Sequence, residues 1–402
     1  MRVRGRGQPH VMISKLTKLR TSGPLTSLRG GWLPNYLAAQ LRPAPVPAGT
    51  TRHLLFMFAD HWEPSWKGAS QSVADARVRD WATLYPRAAS AHVDADGCHP
   101  AHTFFYPYDE YRPQDLDALS GLSNRGFGEV EMHLHHRDDT SSSLTNKLRD
   151  AVGLYREHGC LGSLPAGNPG YGFVHGDWAL DNSRHECGRN YCGVNDELTV
   201  LSQTGCYADF TFPALGTGAQ PRWTNRIVRA KDDPLRPKSY DQGVRAAVGE
   251  SSPGYLHLVS GPLAFHVSTS GKPRLDDGQI TGINIPRPDR LDAWVKAHVH
   301  VAGRPEWTFV KVYSHGCTDR NRLPFLTREL DRLWSDLEQR YNDGERWRLH
   351  YVTAREAYNV IRAAEDGLAG DPGQYRSYEV SQPPCRQAHR EPALRSLQGV
   401  LG

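Results

Sequence analysis

The sequence has no apolar run near the ~18 residues that a membrane-spanning helix needs, so we expect no membrane span. It also has no serine-nucleophile elbow, no glycine loop of the kind that cradles phosphate, and no interleaving of aromatic with basic residues. We therefore expect neither nucleotides nor nucleic acid as partners. Nothing in the sequence predicts the oligomeric state.

Cysteine is sparse, and acidic residues are missing from one end of the chain. Seven cysteines are an odd number among 402 residues, which favours reduced thiols over a disulfide framework. The first fifty residues contain eight Lys or Arg and no Asp or Glu, so a chain with a net charge of +4 carries −4 over its remaining residues. We expect residues 1–51 to form a basic, disordered extension. Because they lack the apolar core of a secretory signal, we also expect a cytoplasmic protein.

From residue 52 onward the sequence alternates between apolar strands and amphipathic helices. Strands are predicted at 54–58, 102–107, within 131–140, and at 171–178, 206–213, 307–315 and 349–352. Helices are predicted at 72–88, 141–158, 195–203, 324–341 and 354–364. This order predicts an α/β fold, a deformed (β/α) barrel of about seven strands with loop insertions, over residues 52–367. Residues 368–402 are predicted to be a disordered tail.

Polar residues gather where the predicted strands end. The densest group, Glu-Met-His-Leu-His-His-Arg-Asp-Asp-Thr, occupies residues 131–140, and its alternation puts Glu131, His133 and His135 on one face of a strand. Two imidazoles at i and i+2, with Asp139 returning from the next turn, suit a divalent metal ion. In a barrel the strand ends converge on one mouth, which we expect to hold Asp60, His133 or His135, His175, Asp177, Asp209 and His315.

These motifs, taken in order over residues 53–367, resemble the polysaccharide deacetylase superfamily, that is, carbohydrate esterase family four and its relatives. Residues 57–61, Met-Phe-Ala-Asp-His, are similar to the family's Thr-Phe-Asp-Asp-Gly motif. The resemblance puts Asp60 at the position of a metal ligand and Ala59 at the position of the catalytic base.

Two further motifs carry the resemblance. Residues 131–139 are similar to the family's His-Ser/Thr-x-x-His motif, which implies His135 and Asp139 as further metal ligands, with His133 as the alternative to them. Residues 312–315, Val-Tyr-Ser-His, resemble the closing Leu-x-His motif. The resemblance implies that His315 is the general acid.

The resemblance implies a metal-dependent hydrolase that removes N- or O-acetyl groups from a carbohydrate or glycan substrate. Its cofactor would be a divalent metal ion, with zinc preferred over manganese, nickel, cobalt and iron. Because Ala59 replaces the family's base, that role would pass to His61, Glu63 or Asp177. The side chains expected to bind the sugar are Trp62, Tyr106, His175, Trp178 and Asp209.

Two other functions fit the same residues. A glycoside hydrolase on a similar barrel would need two carboxylates across the sugar, for which Glu63, Asp177 and Asp209 are the candidates. A catalytically degenerate protein would bind glycans, or partner proteins, without turnover. The loss of the base at Ala59 keeps this third function open.

Two smaller groups lie outside this constellation. His185, Cys187 and Cys192 offer ligands that zinc prefers, although their spacing is not that of a standard ribbon or finger. His298 and His300 fall on one side of a predicted strand at 294–301, where ordinary, partly exposed histidines are the simpler expectation.

Overall fold

The computed structural model describes residues 31–40, 44–186, 188–250, 254–268 and 271–387. Its strands are β1 Arg52–His61, β2 His102–Pro107, β3 Gly128–Leu134, β4 Gly162–Ser163, β5 Pro169–His175, β6 His185–Glu186, β7 Arg189–Asn190, β8 Cys206–Asp209, β9 Ile227–Ala230, β10 Val244–Arg245, β11 Leu256–Val259, β12 Ala264–Val267, β13 Pro273–Asp276, β14 Trp307–Ser314 and β15 Trp347–Tyr351.

The α-helices span Leu33–Gln40, Gln71–Ala89, Pro113–Asn124, Ser141–Glu157, Glu197–Gln203, Pro288–Lys296, Arg322–Pro324, Leu330–Tyr341, Ala354–Glu365 and Pro384–Gln387. A π-helical turn, Phe325–Glu329, joins two of them, and short 3-10 turns occur at Tyr108–Glu110, Gly176–Trp178, Ser239–Gln242 and Pro372–Tyr375. None of these helices has the length and the apolar content that crossing a membrane requires.

Eleven strands form one sheet in which most neighbours are parallel. The order is β10-β9-β11-β8-β5-β3-β2-β1-β14, with β15 paired to the first half of β1 and β4 paired to β5. Only the pairs made by β4, β9 and β10 are antiparallel within the described part of this sheet. The predicted α/β class is therefore confirmed. The hydrogen-bonded path of the described strands ends at β10 and at β14, so a closed barrel is not confirmed.

Apolar side chains cover both faces of the sheet. Every residue of β1 after Arg52 is buried, which explains why residues 54–58 are continuously apolar. On one face Phe58 joins an outer cluster with helix residues such as Trp81. On the other face Met57 joins an inner cluster with Phe309 of β14. Strand ends between these two layers are shielded from water on both sides.

The strand β3 carries acidic and imidazole side chains into the interior. All of its residues are buried. Glu129 accepts a hydrogen bond of 2.7 Å from the guanidinium of Arg355, and Glu131 accepts one from the hydroxyl of Tyr207. The polar face predicted within residues 131–140 therefore lines the interior of the protein and not its surface.

The chain beyond residue 367 is folded as far as residue 387, in contrast to the predicted tail. Val380 is fully buried in the inner cluster. Arg376 donates hydrogen bonds to Asp94 (2.8 Å) and Glu356 (3.2 Å), whose side chains are 0% and 1% exposed. Buried carboxylates need such a cation beside them, so the segment that brings Arg376 is ordered with the core. The rest of the predicted tail, 388–402, lies outside the described residues.

Part of the predicted basic extension is also folded. The helix Leu33–Gln40 lies within it, and Trp32 and Tyr36 pack against Leu263 in a small apolar cluster. Residues 1–30 and 41–43 of the extension, which include all eight of its basic side chains, lie outside the described residues.

The strand predicted at 294–301 is wrong, because a helix, Pro288–Lys296, occupies its first part. A proline in the first turn favours the start of this helix, since its missing N–H is not needed there. His298 follows in the left-handed region with φ 53°, and its ring lies 4.3 Å from that of His300.

Replacing Arg376 by Ala should lower the free energy of unfolding by about 3 kcal/mol, because Asp94 and Glu356 would lose their buried cation. Urea unfolding at equilibrium measures this change. Arg236→Ala is the matched control, since Arg236 and Asp233 form an exposed pair at 3.6 Å that should contribute less than ~0.5 kcal/mol. A loss below ~1 kcal/mol for Arg376→Ala would show that the segment is not part of the core.

Candidate metal centre

The carboxyl ends of the parallel strands β1, β2, β3 and β14 meet at one edge of the sheet, and a group of polar side chains lies there. His61 ends β1 and Glu63 follows it, His133 lies in β3 and His135 just after it, and His315 follows β14. The ring of His61 lies 4.9 Å from the rings of both His133 and His315. Parallel strands bring their ends to the same edge, which is why residues so far apart in sequence are neighbours here.

Glu63 is at the centre of this group and is 2% exposed. Its Oε1 lies 3.2 Å from Nε2 of His135 and 3.7 Å from Nε2 of His133, and its Oε2 lies 3.5 Å from Nε2 of His315. Ligand atoms of Glu63, His133 and His135 all lie within 4.8 Å of one another, and we call these three residues the candidate metal centre. Burial favours the neutral acid, but the neighbouring imidazoles, first of all that of His133, hold the pKa of Glu63 well below its ordinary value.

His133 is oriented so that one ring nitrogen faces Glu63. Its Nδ1 donates a hydrogen bond of 2.8 Å to the carbonyl of Val174, which leaves the lone pair of the neutral ring on Nε2. This Nε2 is buried, and neither it nor Oε2 of Glu63 has a hydrogen-bond partner in the part of the chain that the structure describes. A buried lone pair beside a carboxylate is unfavourable unless a cation or a proton lies between them.

His135 is supported from its other side by Asp109, which follows β2. The backbone N–H of His135 donates to Oδ1 of Asp109 at 3.0 Å, and Nδ1 of the ring lies 3.2 Å from Oδ2. Burial disfavours the imidazolium, but the hydrogen bonds to Asp109 and Glu63 outweigh it and raise the pKa of His135 to about 10. A carboxylate on the far nitrogen is the usual support of a metal-binding imidazole.

His61 and His315 border the candidate metal centre. Burial, followed by the neighbouring imidazoles of His133 and His315, lowers the pKa of His61 well below its ordinary value. Burial also lowers the pKa of His315, whose side chain is 20% exposed and whose ring lies 4.9 Å from that of Trp66. The imidazoles of His61 and His315 are therefore neutral at neutral pH, and each can accept a proton beside Glu63.

Glu110 is a site residue that the sequence pattern did not single out. Burial, followed by the charges of Glu63 and Asp109, raises the pKa of Glu110 to about 7. Its Oε2 is buried without a hydrogen-bond partner among the described residues. A signal was present, because Asp109 and Glu110 follow the second predicted strand just as Glu63 follows the first.

The structure does not bring Asp60 and Asp139, the two aspartates predicted as metal ligands, into this group. Side chains alternate along a strand, so Asp60 points away from the residue that follows it and accepts a hydrogen bond of 3.0 Å from His102 in the outer layer. Asp139 lies beyond the end of β3, where the ammonium of Lys147 donates to it at 2.6 Å. Glu63, and not Asp60, is therefore the carboxylate that lies beside the histidines.

Three aromatic side chains were expected to bind sugar, and one of them lies at the site. Trp178 is half-buried, with its ring 6.5 Å from that of His61. Its φ of 57° is in the left-handed region, which is uncommon for a bulky residue. Trp62 and Tyr106 are instead fully buried in the outer apolar cluster, because both point toward the helices.

The remaining predicted polar residues are engaged elsewhere. Asp177 accepts a hydrogen bond of 2.8 Å from Arg137, and its side chain is 30% exposed. Asp209 is buried and accepts a hydrogen bond of 2.7 Å from the hydroxyl of Thr211. A second cluster of ligand-type side chains, all buried, consists of His136, His175, Cys192 and Glu197.

The possible zinc group His185, Cys187 and Cys192 is not assembled among its described members, because no described cluster of ligand-type side chains includes His185. That residue is exposed on β6 and its Nε2 lies 2.9 Å from the carbonyl of Asn182. Cys187 lies outside the described residues. The cysteines of the described ranges are free thiols, as the sequence predicts.

No protein-family model matches the chain, and a search of curated proteins finds no match either. The resemblance to polysaccharide deacetylases therefore stays a prediction.

Glu63→Gln and His133→Ala should each remove one equivalent of divalent metal per chain relative to the wild-type protein, because each deletes a ligand of the candidate metal centre. Mass spectrometry of dialysed protein measures the metal content. Asp60→Asn is the control and should keep the wild-type content. Loss of metal from Asp60→Asn together with full retention in Glu63→Gln would contradict the assignment.

Proposed function

We propose that this chain is a metal-dependent hydrolase that removes an acetyl group from a carbohydrate amide or ester. One observation carries the proposal. Glu63, His133 and His135 converge at the carboxyl edge of a mostly parallel sheet, beside two further imidazoles, His61 and His315. Such a combination of metal ligands and proton-transfer groups is what hydrolysis of an acyl bond requires.

A divalent cation fits these residues. Nε2 of His133 and Oε2 of Glu63 are buried and unpaired within the described ranges, and Asp109 supports His135 from behind. Two imidazoles and a carboxylate form the ligand set of catalytic zinc sites that keep an open position. Because His135 must release its proton to bind a cation, the affinity for metal should rise with pH. A bound cation of this kind acts as a Lewis acid toward a carbonyl oxygen and lowers the pKa of water toward ~7.

His61 is the residue best suited to replace the base that is missing at Ala59. Its imidazole is neutral because burial lowers its pKa, and it lies at the inner side of the site. Of the other two candidates, Asp177 is held by Arg137, and Glu63 is surrounded by imidazoles. His61 therefore accepts the proton of the attacking water.

His315 serves as the acid. It is the more exposed of the two bordering imidazoles, and Oε2 of Glu63, 3.5 Å from its Nε2, stabilises the imidazolium once a proton arrives. From this position His315 donates the proton to the leaving amine or alkoxide. The rings of the two imidazoles lie 4.9 Å apart.

Two tryptophans offer flat surfaces for a sugar ring. Trp66 packs beside His315 and Trp178 beside His61, and both are half-buried. Pyranose faces pack well on indole rings, and an indole N–H is a donor for sugar hydroxyls. Nε1 of Trp178 is buried and has no hydrogen-bond partner within the described ranges.

One observation favours a second candidate function, a glycoside hydrolase. The environments of Glu63 and Glu110 push their pKa values apart, to well below the ordinary range for Glu63 and to about 7 for Glu110. A carboxylate paired with a carboxylic acid that is neutral near pH 7 is the arrangement that glycosidases use. The imidazoles around Glu63 make the metal-dependent reaction the first candidate.

The test is acetate release from an N-acetylated chito-oligosaccharide and from an acetylated xylan, with metal-loaded protein and after chelation. We expect release that depends on the metal. His315→Ala should lower kcat by ~100-fold or more and leave the metal content unchanged, because His315 transfers a proton and is not one of the three ligands. His185→Ala changes an exposed histidine outside the site and should behave like the wild type.

Two outcomes would contradict deacetylation. Cleavage of the sugar chain without metal, abolished by Glu110→Gln, would identify a glycoside hydrolase. Binding of the oligosaccharide without any bond cleavage by metal-loaded protein would identify a catalytically degenerate glycan-binding protein.

A further inference from the structure

The second cluster, His136, His175, Cys192 and Glu197, takes no part in the proposed reaction. All four side chains are buried. From their arrangement we infer a second, structural metal site for one zinc-type cation, with two imidazoles, one thiolate and one carboxylate as its ligands. The inference does not depend on the reaction proposed for the candidate metal centre.

Glu197 stands at the centre of the second cluster. Its Oε1 lies 2.9 Å from Nε2 of His136 and 3.4 Å from Nε2 of His175, and its Oε2 lies 3.3 Å from Sγ of Cys192. The four ligand atoms all lie within 4.8 Å of one another. Around a tetrahedral zinc ion, nitrogen, oxygen and sulfur ligands lie about 3.3–3.6 Å apart. Small side-chain rotations would therefore let these four groups enclose one ion.

Each ligand residue also has a contact outside the group of four. Nδ1 of His175 donates to the carbonyl of Gly176 (2.5 Å), Nδ1 of His136 faces Asp139 (3.4 Å), the backbone N–H of Asp181 donates to Glu197 (2.5 Å), and that of Val194 donates to Sγ of Cys192 (3.4 Å). Outer contacts of this kind fix the ring tautomers and orient metal ligands. In both histidines they leave Nε2 as the nitrogen that faces the cluster.

A network of hydrogen bonds without metal leaves part of this cluster unexplained. Nε2 of His175 makes no hydrogen bond to any described residue, although the side chain is fully buried. Its lone pair faces the carboxylate of Glu197 at 3.4 Å, which is unfavourable without a cation between them. Imidazole and thiolate are the ligands that zinc prefers, and four protein ligands without an open position are typical of a structural site.

Such a site would join separate segments of the chain near the carboxyl ends of the parallel strands. His136 follows β3, His175 ends β5, and Glu197 begins the helix Glu197–Gln203. Cys192 belongs to the loop between the last two. Because His136 directly follows His135, a cation in the second cluster would also fix the backbone that carries a ligand of the candidate metal centre.

The thiol allows the two sites to be told apart. The full-length protein is produced in minimal medium with Co²⁺ as the added metal, and its absorption spectrum and metal content are recorded. We expect a thiolate-to-cobalt charge-transfer band, because only the second cluster contains a cysteine ligand among the described candidates. Cys192→Ser should lose this band and one equivalent of cobalt, and Glu63→Gln should keep the band.

Cys206→Ser is the matched control, since Cys206 is also buried, its Sγ hydrogen-bonds the carbonyl of Ala208 at 3.4 Å, and it belongs to no group of metal-ligand side chains among the described residues. It should keep both band and metal. Absence of the band in cobalt-grown wild-type protein would overturn the inference. This test does not use the Cys192→Ser variant, so it remains valid even if that variant does not fold. A band that persists while Glu63→Gln changes no metal content would support the second site and refute the proposed function.

Discussion

The buried carboxylate of Glu63 is the constraint on which the candidate site depends. A carboxylate removed from water needs compensating charge or hydrogen bonds, and the imidazoles of His133, His135 and His315 surround it. Asp109 in turn stabilises the protonated ring of His135. Replacing that proton by a divalent cation keeps the same partners and adds one positive charge beside the carboxylates of Glu63 and Asp109, so the arrangement suits metal binding without rebuilding the site.

Other buried acidic side chains in the sheet also need a hydrogen-bonding or charged partner. Glu129 and Glu131 point inward from β3, and each finds its partner on a different element, Arg355 from the helix Ala354–Glu365 and Tyr207 from β8. Leaving either acid unpaired would cost several kcal/mol. Buried acids therefore decide which elements come together, and this is also why the segment that carries Arg376 belongs to the core.

Most elements could be predicted from the sequence because local patterns determine them. The apolar run of β1 and the hydroxyl-rich start of the helix Ser141–Glu157 are examples, and Thr140 does cap that helix through Ser143. Which residues lie in the candidate site could not be predicted equally well. When a strand is buried on both faces, hydrophobicity does not say which face is interior, so Asp60 and His61 looked equivalent. The folded segment after residue 367 was missed because distant carboxylates, and not its own pattern, order it.

The histidine-rich run 133–136 serves two buried groups and not the one that its density suggests. The ring of His135 lies beside the carboxylate of Glu63, whereas the ring of the next residue, His136, lies beside the carboxylate of Glu197. Asp138, with φ 49°, then reverses the chain so that the backbone N–H of the residue after it meets the carbonyl of Cys192 at 2.9 Å. A shift of β3 by one residue would exchange the faces of these imidazoles, so its register sets both groups at once. A movement of the backbone at His135 and His136 therefore affects both groups, and contacts that hold His136 in the second cluster also position the ring of His135 beside Glu63.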